Sequence, residues 1–201
     1  MRLGCLPSVI KRWANFKLCR IFGSGFQWEN RPTPGRYLRA RCRCHSQRGQ
    51  HNLAWGGGVD GAIHRAAGPE LLAECLTLGG CRPGDAKLTR GYNLPARFVI
   101  HAAGPVWHGG GQGEAEVLAN CYRNSLQLVR DHGLKTVAFP AISCGAYRYP
   151  IPEAAQIAVE TTREFLGKND AIEKVAFVVA SDEIFSAYQR LLKKANRGFA
   201  D

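Results

Sequence analysis

The sequence predicts an α/β protein built on a mainly parallel sheet with helices covering both faces. Three observations carry that expectation. Short, nearly continuous apolar runs such as FVIHAA, TVAFPA and KVAFVVA suit strands buried on both sides. They alternate with longer amphipathic segments of helical spacing. Gly or Pro punctuates the junctions, where strand must give way to helix.

The elements follow in order from Gly56. VDGAIHRAAGPELLAECLTLGG places apolar residues at helical spacing and stops at the Gly79–Gly80 pair. ARFVIHAAGPVW, from Ala96, is a β-branched and aromatic strand closed by Gly-Pro. GEAEVLANCYRNSLQLVRDHG is an amphipathic helix ended by Gly133, and KTVAFPAIS is a short buried strand. PEAAQIAVETTREFLGKN begins with Pro152, a residue suited to a first helical turn. KVAFVVAS is a further buried strand, and DEIFSAYQRLLKKA a last helix with its cations near the C-terminal end. There are no internal repeats.

Composition divides the chain in two. The 201 residues carry a net charge of +11. Residues 1–55 hold 11 Lys/Arg against the single acid Glu29, whereas residues 56–201 hold 16 basic and 15 acidic residues. The head is basic and aperiodic, and the body is neutral. A neutral body gives no reason to expect a nucleic-acid or membrane partner. No apolar run reaches the ~18 residues that span a bilayer. The eight cysteines form no C-x-x-C pair. They are expected to be reduced thiols in a cytoplasmic protein, with no metal cluster.

Two loops of the body look chemical. GGGVDG leads directly into a helix, and ISCGAYRYP joins a strand to a helix. Glycines at such junctions let main-chain N–H groups turn toward an anion at a helix N-terminus. One such loop alone is more simply a tight turn. Two in the same α/β layer favour a phosphorylated ligand, placed at the carboxyl ends of the strands.

GGGVDGAIHRAAGPELLAEC, GDAKLTRGYNLPARFVIHAAGPVW and VAFPAISCGAYRYPIPEAAQIAV together closely resemble the macrodomain family. The nearest likeness is to its MacroD-type and bacterial O-acetyl-ADP-ribose deacetylase branch, over residues 56–190. The resemblance implies a three-layer α/β/α fold with a mixed, mostly parallel sheet and a cleft for ADP-ribose, its esters or its protein adducts. It also implies a monomer without a cofactor. Gly57, Gly58 and Val59 on one side, and Ser143, Cys144, Gly145, Ala146 and Tyr147 on the other, would then grip the diphosphate. Asp60 matches the family's acidic residue near the distal ribose, and Tyr149 the aromatic beside that ribose.

The resemblance also exposes a gap. The family carries GDI…VDAIVNAAN…LLGGGG before the glycines, with an aspartate for adenine and an asparagine for ribose. Neither is visible in residues 1–55. Back-translated and read one nucleotide later, GRYLRARCRCHSQRGQHNLAWGGG admits GDISALDVDAIVNAANTTLLGGG. Gln47 and Gln50 can then become only Asn or Ser, Cys42 before Arg43 only Val or Ala, and Trp55 before Gly56 only Gly. The hidden frame is one nucleotide short of a fourth glycine before Val59. One base lost from a run of G accounts for both the frame change and its position. Residues 1–55 are therefore expected to be misframed and disordered, and the family's first strands missing or replaced. Losing a central strand would cost more than a domain's margin of ~5–15 kcal/mol. An organelle transit peptide, a zinc site at CRCH with His51 and a basic nucleic-acid arm are weaker readings of the head.

The chemistry expected of the body is hydrolysis. Asp60 would orient or deprotonate a water for attack on an acyl or ADP-ribosyl linkage. The amides of Gly57, Gly58, Gly145 and Ala146 would fix the diphosphate and favour developing negative charge. Asp60 alone is equally a helix-dipole acid; only the resemblance raises it above that. Cys144 has no histidine spaced to activate it and is not expected to be a nucleophile. His64, His101, His108 and His132 are expected in the core or at the surface, and the aromatics of YNLPARF and GPVW in the core. A reader that binds ADP-ribose without turnover, or a chain inactivated by its altered head, are the alternatives.

Overall fold

The computed structural model describes residues 17–22, 25–29, 40–44, 58–179 and 181–197. The elements run β1 (Lys17–Phe22), β2 (Gly25–Glu29), β3 (Ala40–Cys44), α1 (Gly58–Ala67), α2 (Pro69–Thr77), β4 (Ala86–Arg90), β5 (Phe98–Ala102), α3 (Glu114–Asp131), β6 (Thr136–Phe139), α4 (Ile151–Leu166), β7 (Lys174–Val179) and α5 (Asp182–Arg197). The strands form one seven-stranded sheet in the order β2-β1-β7-β6-β3-β5-β4. Its centre, β7-β6-β3-β5, is parallel, and β1 and β4 join its two sides antiparallel. Helices lie on both faces, giving the expected three-layer α/β/α fold with a mixed sheet.

One face carries the larger core. Ile100, Val137, Phe139, Val175, Phe177 and Val179 point from the strands toward Leu118, Tyr122, Ala155, Tyr188 and Leu192 of α3, α4 and α5. Aromatic rings run through its centre: Tyr122 to Phe139 at 5.1 Å, Phe139 to Phe177 at 6.1 Å, and Phe177 to Tyr188 at 4.8 Å. All four of these side chains are fully buried. Each such side chain contributes about 1.5–3 kcal/mol by leaving water. On the opposite face α1 and α2 pack Ile63, Ala67, Leu71 and Cys75 against Val99 and Ala103. His101 lies within this layer, fully buried, with its Nε2 2.8 Å from Thr89 Oγ1 and 3.6 Å from Cys75 Sγ. It is a core histidine with polar neighbours, as expected.

Two elements differ from the sequence reading. The single helix expected over residues 59–80 is two helices, α1 and α2. Gly68 between them adopts φ +89°, and Pro69 opens the second. Proline also disfavours helical geometry in the residue before it. A Cβ on Gly68 would lie 2.6 Å from Asn93 Nδ2, so only glycine fits the joint. The second difference is β4, an edge strand in which Ala86, Lys87 and Leu88 are half-buried, Thr89 is buried and Arg90 is exposed.

Three segments of the basic head lie in the sheet. β1 pairs with both β2 and β7, and β3 sits between β5 and β6, with Arg41 in register with both Val99 and Ala138. The central position that the body alone would leave open is therefore filled by β3. Without β3, the facing edges of β5 and β6 would both lack partners. Among the described residues, no helix is long and apolar enough to cross a membrane.

Candidate functional site

Connectivity places the site. From β3 the chain passes through α1, α2 and β4 to β5 on one side, then crosses by α3 to β6 on the other. The crevice at the carboxyl end of β3 is thus a switch point, where open α/β sheets bind ligands. Three connections meet there: the entry to α1, the loop 103–113 after β5, and the loop 140–150 after β6. α1, entered from β3, covers one face of the sheet, whereas α3 and α4, entered from β5 and β6, cover the other.

α1 begins at Gly58, so the positive end of its dipole lies at this crevice. Gly57 lies outside the described residues. Val59 is exposed, while Asp60, in the first turn, is 97% buried, being only 3% accessible. A carboxylate buried there is not the solvated dipole acid that the residue type alone suggests.

The loop after β6 is held in an unusual backbone conformation. Ser143 and Arg148 both adopt left-handed φ, at +62° and +54°. Non-glycine residues pay conformational strain for such geometry, which concentrates at functional loops. Tyr149 N–H donates to Ser143 O at 3.1 Å and Arg148 N–H to Gly145 O at 2.9 Å, closing the loop on itself. Between them, among the described residues, the amides of Gly145 and Ala146 make no main-chain hydrogen bond. Both residues are exposed, and a Cβ on Gly145 would meet nothing within 4 Å. Two exposed residues therefore carry amides without a main-chain acceptor among the described residues. The buried Ser143 hydroxyl has no hydrogen-bond partner among the described residues. The loop is anchored from below, where Ile142 N–H donates to the hydroxyl of fully buried Tyr122 at 3.2 Å.

Cys144 is half-buried, and burial pushes its thiol up to about 12. A thiol so protonated is a poor nucleophile. Tyr149 is buried; its phenol is raised by that burial and then by Glu153, Glu114 and Cys144.

The loop after β5 was not singled out by sequence reasoning. Trp107, expected in the core, is half-buried and meets Tyr149 in a tilted ring contact, centroids 4.6 Å apart at 54°. Trp107 N–H also donates to Tyr147 O at 3.0 Å, so the two loops are joined by backbone and by ring. Gly109, Gly110 and Gly113 take positive φ and curl the segment around the start of α3. Into that curl projects Glu114, 3% accessible. Its Oε1 accepts the His108 and Gly110 N–H groups at 3.1 and 3.3 Å, and its Oε2 the Gln112 N–H at 2.7 Å. The available signal was an acid directly after HGGGQG at a helix start.

One feature lies elsewhere. The open groove of about 410 Å³ lined by Arg90, Tyr92, Arg97 and Phe98 is at the opposite end of β5 from these loops. Among the described residues no group of three or more His, Cys, Asp or Glu could hold a metal ion.

Comparison with known proteins agrees with this geometry. The Macro domain family profile matches residues 50–158. A macro domain-containing protein of Chlorobaculum tepidum is 60% identical over 141 residues, 70% of this chain and 82% of that protein. An O-acetyl-ADP-ribose deacetylase of Enterobacter cloacae is 54% identical over 145 residues, covering 70% of this chain and 81% of its own length. The Oceanobacillus iheyensis macrodomain with ADP superposes with a TM-score of 0.71 at 42% identity, over 80% of this chain and 86% of that one. The Trypanosoma brucei macrodomain in complex with ADP-ribose gives 0.70 at 39% identity, over 77% and 63%.

Proposed function

This chain belongs to the macrodomain family, and we propose that it binds ADP-ribose in the crevice above β3 and hydrolyses acyl or ADP-ribosyl groups from its conjugates. The observation that carries the reading is the pair of unspent amides at Gly145 and Ala146, across the strand ends from buried Asp60. The pyrophosphate is bound by these amides together with those of Gly57, Gly58 and Val59 at the α1 N-terminus. Ser143, Cys144 and Tyr147 shape the same loop, and Tyr149, with Trp107 against its ring, packs beside the distal ribose. Asp60 orients a water and takes its proton as the oxygen attacks the ester carbonyl. The carbonyl–ribose oxygen bond then breaks as the proton held by Asp60 passes to the departing ribose oxygen, releasing acetate and ADP-ribose. No resident cofactor is needed. The protein acts as a monomer in the cytoplasm, where its buried thiols stay reduced.

Kinship with deacetylases of the kind found in Enterobacter cloacae favours turnover over simple recognition. The test is acetate release from O-acetyl-ADP-ribose by the chain and its Asp60→Asn variant. The proposal expects turnover reduced by roughly 10²–10⁴-fold in the variant with ADP-ribose binding largely kept. Equal turnover removes Asp60 from the mechanism, and ADP-ribose binding without turnover in either chain leaves a reader.

We further propose that residues up to about Trp55 are an out-of-frame translation of the family's first segment. The family profile begins only at residue 50, and relatives retain about a fifth of their length outside the match. The replacement strands restore sheet pairing without restoring the adenine aspartate or ribose asparagine. This supports the alternative of a chain that folds but is inactive. The nucleotide sequence across the codons for Ala54 to Val59 decides the matter. One further G there restores the family segment; a run that cannot encode it in any frame removes the proposal.

A further inference from the structure

Glu114 has no part in the chemistry above, yet it is a buried acid at the foot of the site. Its two oxygens collect three main-chain N–H groups from a loop that has no other evident reason to hold its shape. That loop continues into Trp107, whose amide and ring both engage the loop after β6, at Tyr147 O and the Tyr149 ring. We infer that Glu114 is a positioning residue: its carboxylate fixes the 108–112 segment, and through Trp107 it sets the Tyr147–Tyr149 half of the loop that binds the diphosphate and ribose. This rests on the ADP-ribose reading for its ligand but not for its mechanical coupling.

The geometry makes the dependence specific. A neutral amide in place of the carboxylate keeps one acceptor for His108 and Gly110 N–H but turns an N–H₂ toward the Gln112 N–H, two donors face to face. The neighbouring acid Glu116 pairs instead with exposed Arg123 and has no bond to this loop. It serves as the control.

The experiment compares the full chain with its Glu114→Gln and Glu116→Gln variants. Amide hydrogen exchange is followed over residues 107–113 and 143–149, and ADP-ribose affinity by calorimetry. Glu114→Gln is expected to speed exchange in both loops and weaken binding about ten-fold or more, leaving β7 and α5 protected, while Glu116→Gln changes neither. Faster exchange confined to 107–113 with binding unchanged overturns the coupling, as does no change in either loop. If Glu114→Gln unfolds the chain, Trp107→Leu replaces it, leaving the carboxylate and its bonds in place while removing the ring from Tyr149. Faster exchange at 143–149 supports the inference, and unaltered exchange there overturns it. Should the parent chain not bind ADP-ribose while Glu114→Gln still loosens both loops, the ligand assignment fails and the coupling stands.

Discussion

Gly104 and Ser143 are packed so closely that a single methyl group would not fit between them. A Cβ on Gly104 would stand 2.5 Å from Ser143 Oγ and 2.8 Å from Ile142 Cγ2. The connections leaving β5 and β6 are therefore in direct contact at their roots, and the shape of one constrains the other. Glycine here is required by space rather than by backbone angle.

Gly104→Ala should push the Ser143 hydroxyl and the Ile142 side chain away from β5, costing about 1–3 kcal/mol of stability as overpacking does. Because Ser143 already holds a left-handed φ, the displacement should pass into the Gly145–Ala146 turn and weaken ADP-ribose binding. Urea unfolding and calorimetry check the two effects. Full stability with unchanged affinity would mean that the root contact yields at no expense.

Cys144 should be unreactive. With its thiol raised by burial from 9.0 to about 12, it carries roughly a thousand-fold less thiolate than a free cysteine near pH 8. Mass spectrometry after iodoacetamide treatment of the folded chain should find this site labelled far more slowly than in the denatured chain. Labelling at a free-thiol rate would show a solvated sulfur and reopen a covalent role.

Glu114 makes the loop after β5 sensitive to acid. Its carboxyl is held below the ordinary glutamate range, first by its own main-chain N–H and also by those of Gln112, His108 and Gly110, against the opposing effect of burial. Folding lowers this pKa, so the stabilisation is present above the unfolded value and is lost as pH falls through the folded one. Tyr149 faces the same carboxylate, and His108 lies on the loop it holds. Tyrosine stays neutral throughout this range. Near-UV circular dichroism of Trp107 against Tyr149 should therefore weaken below about pH 4 in the parent chain and be pH-independent there in Glu114→Gln. A transition shared by both chains would assign it to another group.

Much of the fold could be read from the sequence because the physics there is local. The residues of β5, β6 and β7 are mostly buried on both faces, so they form the continuous apolar runs that betray buried strands. β4 has only one neighbour and keeps Lys87 and Arg90 polar, so AKLTR carries little signal. The joint at Gly68 was visible as Gly-Pro, but the apolar spacing continues across it and hides the break. β1 and β3 come from residues whose composition gives no strand pattern. What places them is the demand of β7, β5 and β6 for partners, which no local window contains.

The site divides the same way. The loop after β6 was legible because Ser-Cys-Gly between a buried strand and a helix leaves few other uses for the glycine. Glu114 was not, because an acid in the first turn of a helix is ordinarily a solvated dipole partner. Its burial depends on three glycines turning the preceding segment back over it. Trp107 was read as core for a related reason: one face of its ring is packed, and the other neighbour is the site's own tyrosine.

The central claim is that the main chain of the loop after β6 binds a pyrophosphate. Amide chemical shifts report this most directly, by titrating ¹⁵N-labelled protein with ADP-ribose and following every resolved N–H. The account predicts saturable shifts largest at Gly145 and Ala146, whose amides make no main-chain hydrogen bond among the described residues. Binding that leaves those two resonances unmoved, or the absence of any binding, would contradict it.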